Sequence, residues 1–173
     1  MQRSLMGSPM HRMNILNPNH NKVGIGISIS VNIDGLNRLA VAQEFINQYG
    51  HYSVLPHALK RGQPFIVAGT LDAGFSPYSI EIAWEAAPKS MTKAELVTSP
   101  LVYSEADRFV TGFYPDLEPK VVRVVQHAGN KSFSVTITPE ADWKAGLYYV
   151  SILARSSKGN TPFLVSLRTT HLN

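Results

Sequence analysis

Two hydrophobic patterns follow one another along the chain. In the first, His11-Arg12-Met13-Asn14-Ile15-Leu16 reads as a short helix. Ser8 is placed to cap it and Pro9 takes the tolerated first helical position. Pro18 cannot continue a helix and disfavours helical angles at Asn17, so Asn17 to Asn21 predicts a polar turn. From Val23 to Val31 apolar residues then alternate with Gly or Ser, the period of a half-buried strand. Asn32-Ile33-Asp34-Gly35 predicts a hairpin turn, and Leu39 to Phe45 the returning strand.

The second pattern starts after a stretch broken by Tyr49-Gly50, Pro56 and Arg61-Gly62-Gln63-Pro64, where residues 50–62 read as a linker. Beyond it short strands recur between turn signals: Phe65–Leu71, Tyr78–Glu85, Arg108–Phe113, Lys120–Val125, Ser132–Thr138, Leu147–Arg155 and Phe163–Thr169. Residues 86–105 read as irregular, with one more short strand near Leu101-Val102-Tyr103. Turns are expected at Asp72-Ala73-Gly74, Gly129-Asn130 and Lys158-Gly159-Asn160. Seven or eight strands with no long helix argue for an antiparallel β-sandwich. The expected organisation is therefore 1–49, a helix and a hairpin; 50–62, a linker; and 63–173, a sandwich.

The first segment carries a family resemblance. Ser8-Pro9-Met10-His11-Arg12, Asn14-Ile15-Leu16 and Val23-Gly24-Ile25-Gly26 occur in that order, followed by Gln43-Glu44-Phe45. This run, roughly residues 3–47, resembles the C-terminal signature of the bacterial CAP (SCP/TAPS, cysteine-rich secretory protein) superfamily. Met10 departs from it, since the family usually has Gly there. The CAP fold is an α/β/α sandwich whose upstream half supplies a first His and two Glu residues, one within Gly-Glu-Asn. No such half precedes Met1 in this sequence. The resemblance thus implies a truncated α/β segment, the tail of a CAP domain, and a chain that begins at an internal methionine of a longer or interrupted reading frame.

A second resemblance lies further on. Asp142-Trp143-Lys144-Ala145-Gly146-Leu147-Tyr148-Tyr149-Val150 is similar to the Asp-x-Gly-x-Tyr-x-Cys run of immunoglobulin-like domains, one residue longer, with Val150 in the Cys position. It implies that Tyr148 forms a tyrosine corner, its ring in the core and its hydroxyl returned to nearby backbone. The expected fold class is mainly β: an Ig-like antiparallel β-sandwich preceded by the CAP-like helix-plus-hairpin segment.

Composition narrows the function classes. The 173 residues hold no cysteine, which excludes disulfides, thiolate metal sites and thiol enzymes. The net charge is +4, but Lys and Arg are scattered without a basic run, so no nucleic-acid partner is expected. No apolar stretch reaches the length of a membrane-spanning helix, and the first residues lack the apolar core of a signal peptide.

Candidate chemistry is sparse. Gly-x-Ser-x-Gly is absent, and Gly24-x-Gly26 lies inside a strand without the helix of a dinucleotide site. The CAP resemblance implies that His11 lines a cleft and, with partners from the upstream half, could hold a divalent metal such as zinc. Ser8, Arg12 and Asn14 belong to the same motif. No cofactor is expected in this chain unless the missing half or a partner supplies further ligands. His20 reads as a surface residue of a polar turn, and His51, His57, His127 and His171 as isolated. Glu81 and Glu85 share one face of their strand and read as solvated, while Trp143, Tyr148 and Tyr149 read as core or corner aromatics. The expectation is a non-enzymatic extracellular or cell-envelope binding or structural module. The alternatives are the C-terminal part of a metal-dependent CAP-family hydrolase and a carbohydrate-binding sandwich. The partner would be a protein, lipid or cell-wall glycan surface. The apolar residues of 23–46 need cover, which predicts docking of that segment or a homodimer through it.

Overall fold

The computed structural model of the chain describes residues 2–31, 37–87, 89–99 and 106–173. The predicted turn at Asn32 to Gly35 and the predicted strand near Leu101 to Tyr103 lie outside the described residues. The chain divides into two compact units, Met1–Gln48 and Tyr49–Asn173.

The first unit contains α1 (Gln2–Gly7), α2 (Pro9–Ile15), β1 (Lys22–Val31) and β2 (Asn37–Ile46). Helix α1 was not expected from the sequence. Ser8 is extended, at φ −91 and ψ 122, and makes no side-chain cap. Its carbonyl instead accepts the Arg12 N–H at 2.9 Å, the first bond of α2. The two strands pair antiparallel, with Val23 opposite Phe45, Ile25 opposite Gln43, Ile27 opposite Val41 and Ile29 opposite Leu39. All these side chains share one face, and Gly24, Gly26, Ser28, Ala40 and Ala42 share the other. The end of the hairpin is tied by an amide exchange: Asn21 Nδ2 donates to the Gln48 carbonyl at 2.8 Å, and Gln48 N–H to Asn21 Oδ1 at 2.9 Å.

The second unit is a sandwich of two sheets, with strands β3 (Gly50–Tyr52), β4 (Ala58–Leu59), β5 (Phe65–Leu71), β6 (Phe75–Glu85), β7 (Arg108–Phe113), β8 (Arg123–His127), β9 (Asn130–Ile137), β10 (Gly146–Ser156) and β11 (Phe163–Leu172). One sheet runs β4-β11-β10-β6-β7 and the other β3-β5-β9-β8. Among the described strands of this unit only β4 runs parallel to its neighbour. This is the strand order of an Ig-like domain, an ABED sheet packed on a GFC sheet with an extra strand at each side of the latter. Residues 50–62, expected as a linker, supply β3 and β4. Their pairing partners Thr70 and His171 lie far along the chain, so no local periodicity marks these short strands.

The core alternates as the strands do. Val67, Leu71, Phe133, Val135 and Ile137 face inward from one sheet, and Ile80, Ile82, Val150, Ile152, Ala154, Val165 and Leu172 from the other. A short helix, α3 (Lys93–Thr98), stands in the stretch expected to be irregular. Thr92 and Glu95 close a capping box at its start, with the Thr92 N–H donating to Glu95 Oε2 at 2.7 Å. The tight turn between β8 and β9 falls at Ala128-Gly129, one residue before its expected place. Both residues have positive φ, 47 and 88, as a two-residue hairpin of matching twist requires.

Candidate functional site

In the first unit the motif residues separate around α2. His11 and Asn14 are exposed and line a cleft of about 230 Å3 with Leu5, Ile15 and the β2 residues Val41 to Phe45. Arg12, also exposed, lines a different hollow with Met6, Pro9, Met13, Leu16 and Pro18. The roughly 100° step between successive helical residues turns Arg12 away from His11. Glu44 joins His11 in the cleft, so the sequence supplies one imidazole and one carboxylate there. Among the described residues no group of three or more His, Asp or Glu side chains is placed to hold a metal. The sequence marks Glu44 only by its place between Gln43 and Phe45. His20 is not simply on the surface. It is half-buried, stacked on Phe45 at 5.5 Å, and its Nδ1 lies 2.6 Å from Asn47 Oδ1.

The apolar face of the hairpin is open. Val23, Ile25, Ile27, Ile29 and Leu39 are each between 54% and 70% exposed. Alternation put them on one face, and no described residue of their own unit covers them.

In the second unit the outer face of the β3-β5-β9-β8 sheet carries a groove of about 560 Å3. The registers place two rows across it. His51, Thr70, Ser132 and Val125 form one, and Ala68, Ser134 and Arg123 the other. Thr70 Oγ1 and Ser132 Oγ lie 2.9 Å apart. A second hollow, about 430 Å3, is lined by β7, the end of β9 and Glu140, Asp142 and Trp143.

The aromatic residues are structural. Tyr148 is fully buried, stacks on Trp143 at 4.8 Å and donates its hydroxyl to the Lys144 carbonyl at 2.8 Å. That is a tyrosine corner, and burial pushes the Tyr148 phenol up. Trp143 and Tyr148 are thus unavailable for stacking on a sugar. Tyr149 donates to Glu85, a bond that raises the Tyr149 phenol, and Glu81 accepts from Ser79 Oγ at 2.8 Å. Glu81 and Glu85 are therefore half-buried, hydrogen-bonded residues and not a freely solvated pair. At the opposite edge Tyr52 is pushed up to about 12, mainly by burial. Arg168 lies over its ring at 5.6 Å and donates to the Ser53 carbonyl, and burial lowers the guanidinium. The Tyr52 hydroxyl has no hydrogen-bond partner among the described residues.

His57 and His171, isolated in sequence, are in contact. Their ring centres are 4.8 Å apart and edge-to-face, because β4 pairs with β11.

No helix among the described residues is long and apolar enough to cross a membrane. No protein-family model and no curated protein matches the sequence. Among solved structures, the ICAM-5 D1–D4 ectodomain fragment aligns at 12% identity with a TM-score of 0.39, over 81% of this chain and 30% of that one. The chain therefore spans less than a third of that ectodomain fragment. The strand order and the tyrosine corner make the second unit an Ig-like β-sandwich.

Proposed function

We propose that the chain is a non-enzymatic binding or structural module of the cell exterior or envelope, in which an Ig-like sandwich accompanies an interaction surface on the β1–β2 hairpin. The observation that carries this reading is the open apolar face of Val23, Ile25, Ile27, Ile29 and Leu39. A contiguous apolar patch of this kind marks an interaction site. The five side chains leave roughly 500 Å2 uncovered, so a two-fold pair would bury roughly 1,000 Å2, the lower bound for a specific interface. A two-stranded hairpin is marginal by itself, and a second copy laid face to face supplies the missing layer. The proposed partner is thus another copy of the chain, joined through residues 23–46. The resemblance of residues 3–47 to the CAP superfamily supports the extracellular assignment.

Light scattering with increasing protein concentration tests it, with Ile27→Lys as the disrupting variant and Ser28→Lys, on the other face, as the control. A dimer lost only in Ile27→Lys supports the reading. A monomer throughout, or equal loss in both variants, overturns it. The second reading, a metal-dependent CAP-family hydrolase represented by its C-terminal part, is favoured by His11 and Glu44 sharing one cleft. Divalent-metal-dependent hydrolysis abolished by His11→Ala would establish it.

A further inference from the structure

The two histidines at the edge of the GFC sheet stand apart from both readings above. His57 precedes β4 and is exposed, and His171 lies on β11 and is half-buried. Their backbones are held. Thr170, on β11, donates its hydroxyl to the Pro56 carbonyl at 2.6 Å, and the His171 N–H donates to the His57 carbonyl. Leu59 and Leu172, paired one step further along, are both buried in the core. Of the two imidazoles, that of His57 is the exposed one.

From this geometry we propose that His57 and His171 form a two-histidine chelate for a late first-row divalent cation, of the Zn2+ or Cu2+ class. Imidazole is a preferred ligand of these ions. A bound imidazole nitrogen sits about 2.0–2.1 Å from the metal, and its ring centre about 1.2 Å further out. Two such rings in neighbouring coordination positions, roughly 90° to 110° apart, have centres about 4.6–5.3 Å from each other. The separation found is 4.8 Å. The rings are edge-to-face at 87°, so binding requires a turn of the exposed His57 ring without movement of the backbone. Because the second ring is held close by when the first binds, the pair holds the ion more tightly than either imidazole alone. The remaining coordination positions are left to water.

Calorimetric titration of Zn2+ alone into the full chain, in a non-chelating buffer, tests this beside His57→Ala, His171→Gln and His11→Ala. His57 is exposed, so His57→Ala tests the site without disturbing the core. The expected result is one site per chain, weakened at least about tenfold in His57→Ala and in His171→Gln and unchanged in His11→Ala. Side-chain NMR should show the Cε1–H signals of His57 and His171 shifting first. Absence of binding, binding unchanged in His57→Ala, or binding lost only in His11→Ala would each overturn the proposal.

Discussion

Tyr148 and Tyr52 are a matched pair whose hydroxyls should have opposite worth. Burial raises the pKa of both phenols. The Tyr148 hydroxyl donates to the Lys144 carbonyl at 2.8 Å, whereas that of Tyr52 has no partner among the described residues. Tyr148→Phe keeps the ring and its stacking on Trp143 and removes only the bond. A typical intramolecular hydrogen bond contributes about 1 kcal/mol net, and a stranded acceptor adds to the loss, so the cost should be about 1–2 kcal/mol. Tyr52→Phe removes a hydroxyl that was desolvated without return, so it should lie within about 0.5 kcal/mol of zero or stabilise. Both tryptophans, Trp84 and Trp143, lie in the sandwich, so indole fluorescence reports its unfolding separately from the hairpin unit. With a slope of about 2 kcal/mol/M in urea, Tyr148→Phe should lower the midpoint by roughly 0.5–1 M at unchanged slope. Tyr52→Phe should leave the midpoint in place or raise it. Equal shifts for the two variants, or an unmoved midpoint in Tyr148→Phe, would refute the assignment of a corner bond.

Further outcomes follow from the same geometry. Gly146 has φ 147, and an added Cβ would fall against the Glu85 carbonyl and 2.5 Å from Trp84 Nε1. Gly146→Ala should therefore cost more than about 3 kcal/mol, read as a collapse of the urea midpoint. Tyr52 rises from the ordinary 10.0 to about 12 on folding, so the folded state holds its proton longer. Stability should hold below about pH 10 and fall as pH climbs through about 12, with a shallower fall in Tyr52→Phe, measured as urea midpoints at about pH 9 and 11. Thr92→Ala removes the capping box of α3, which should speed amide exchange over residues 93–98 and leave the fluorescence midpoint unchanged.

Much of the strand layout was legible because period two and turn residues are local properties. Phe65–Leu71 and Arg108–Phe113 fall where the turn signals around them placed strands, and the Gly146-x-Tyr148 run was enough to expect the corner. The capping box Thr92-x-x-Glu95 was equally local, and it marked a helix inside a stretch that reads as irregular. The alternation of 23–29 also fixed which side chains of β1 share a face.

Long-range pairing decided the rest. Strands β3 and β4 are three and two residues long and exist only because Thr70, Gly69 and His171 offer them ladder partners. The meeting of His57 with His171 follows from that pairing across more than a hundred residues. The placing of Glu44 in the cleft of His11 depends likewise on a contact between separate elements, β2 and α2. Sequence spacing encodes neighbours along a helix or strand. Which strands lie side by side is set by how two sheets bury their apolar faces together, and that is a property of the folded whole.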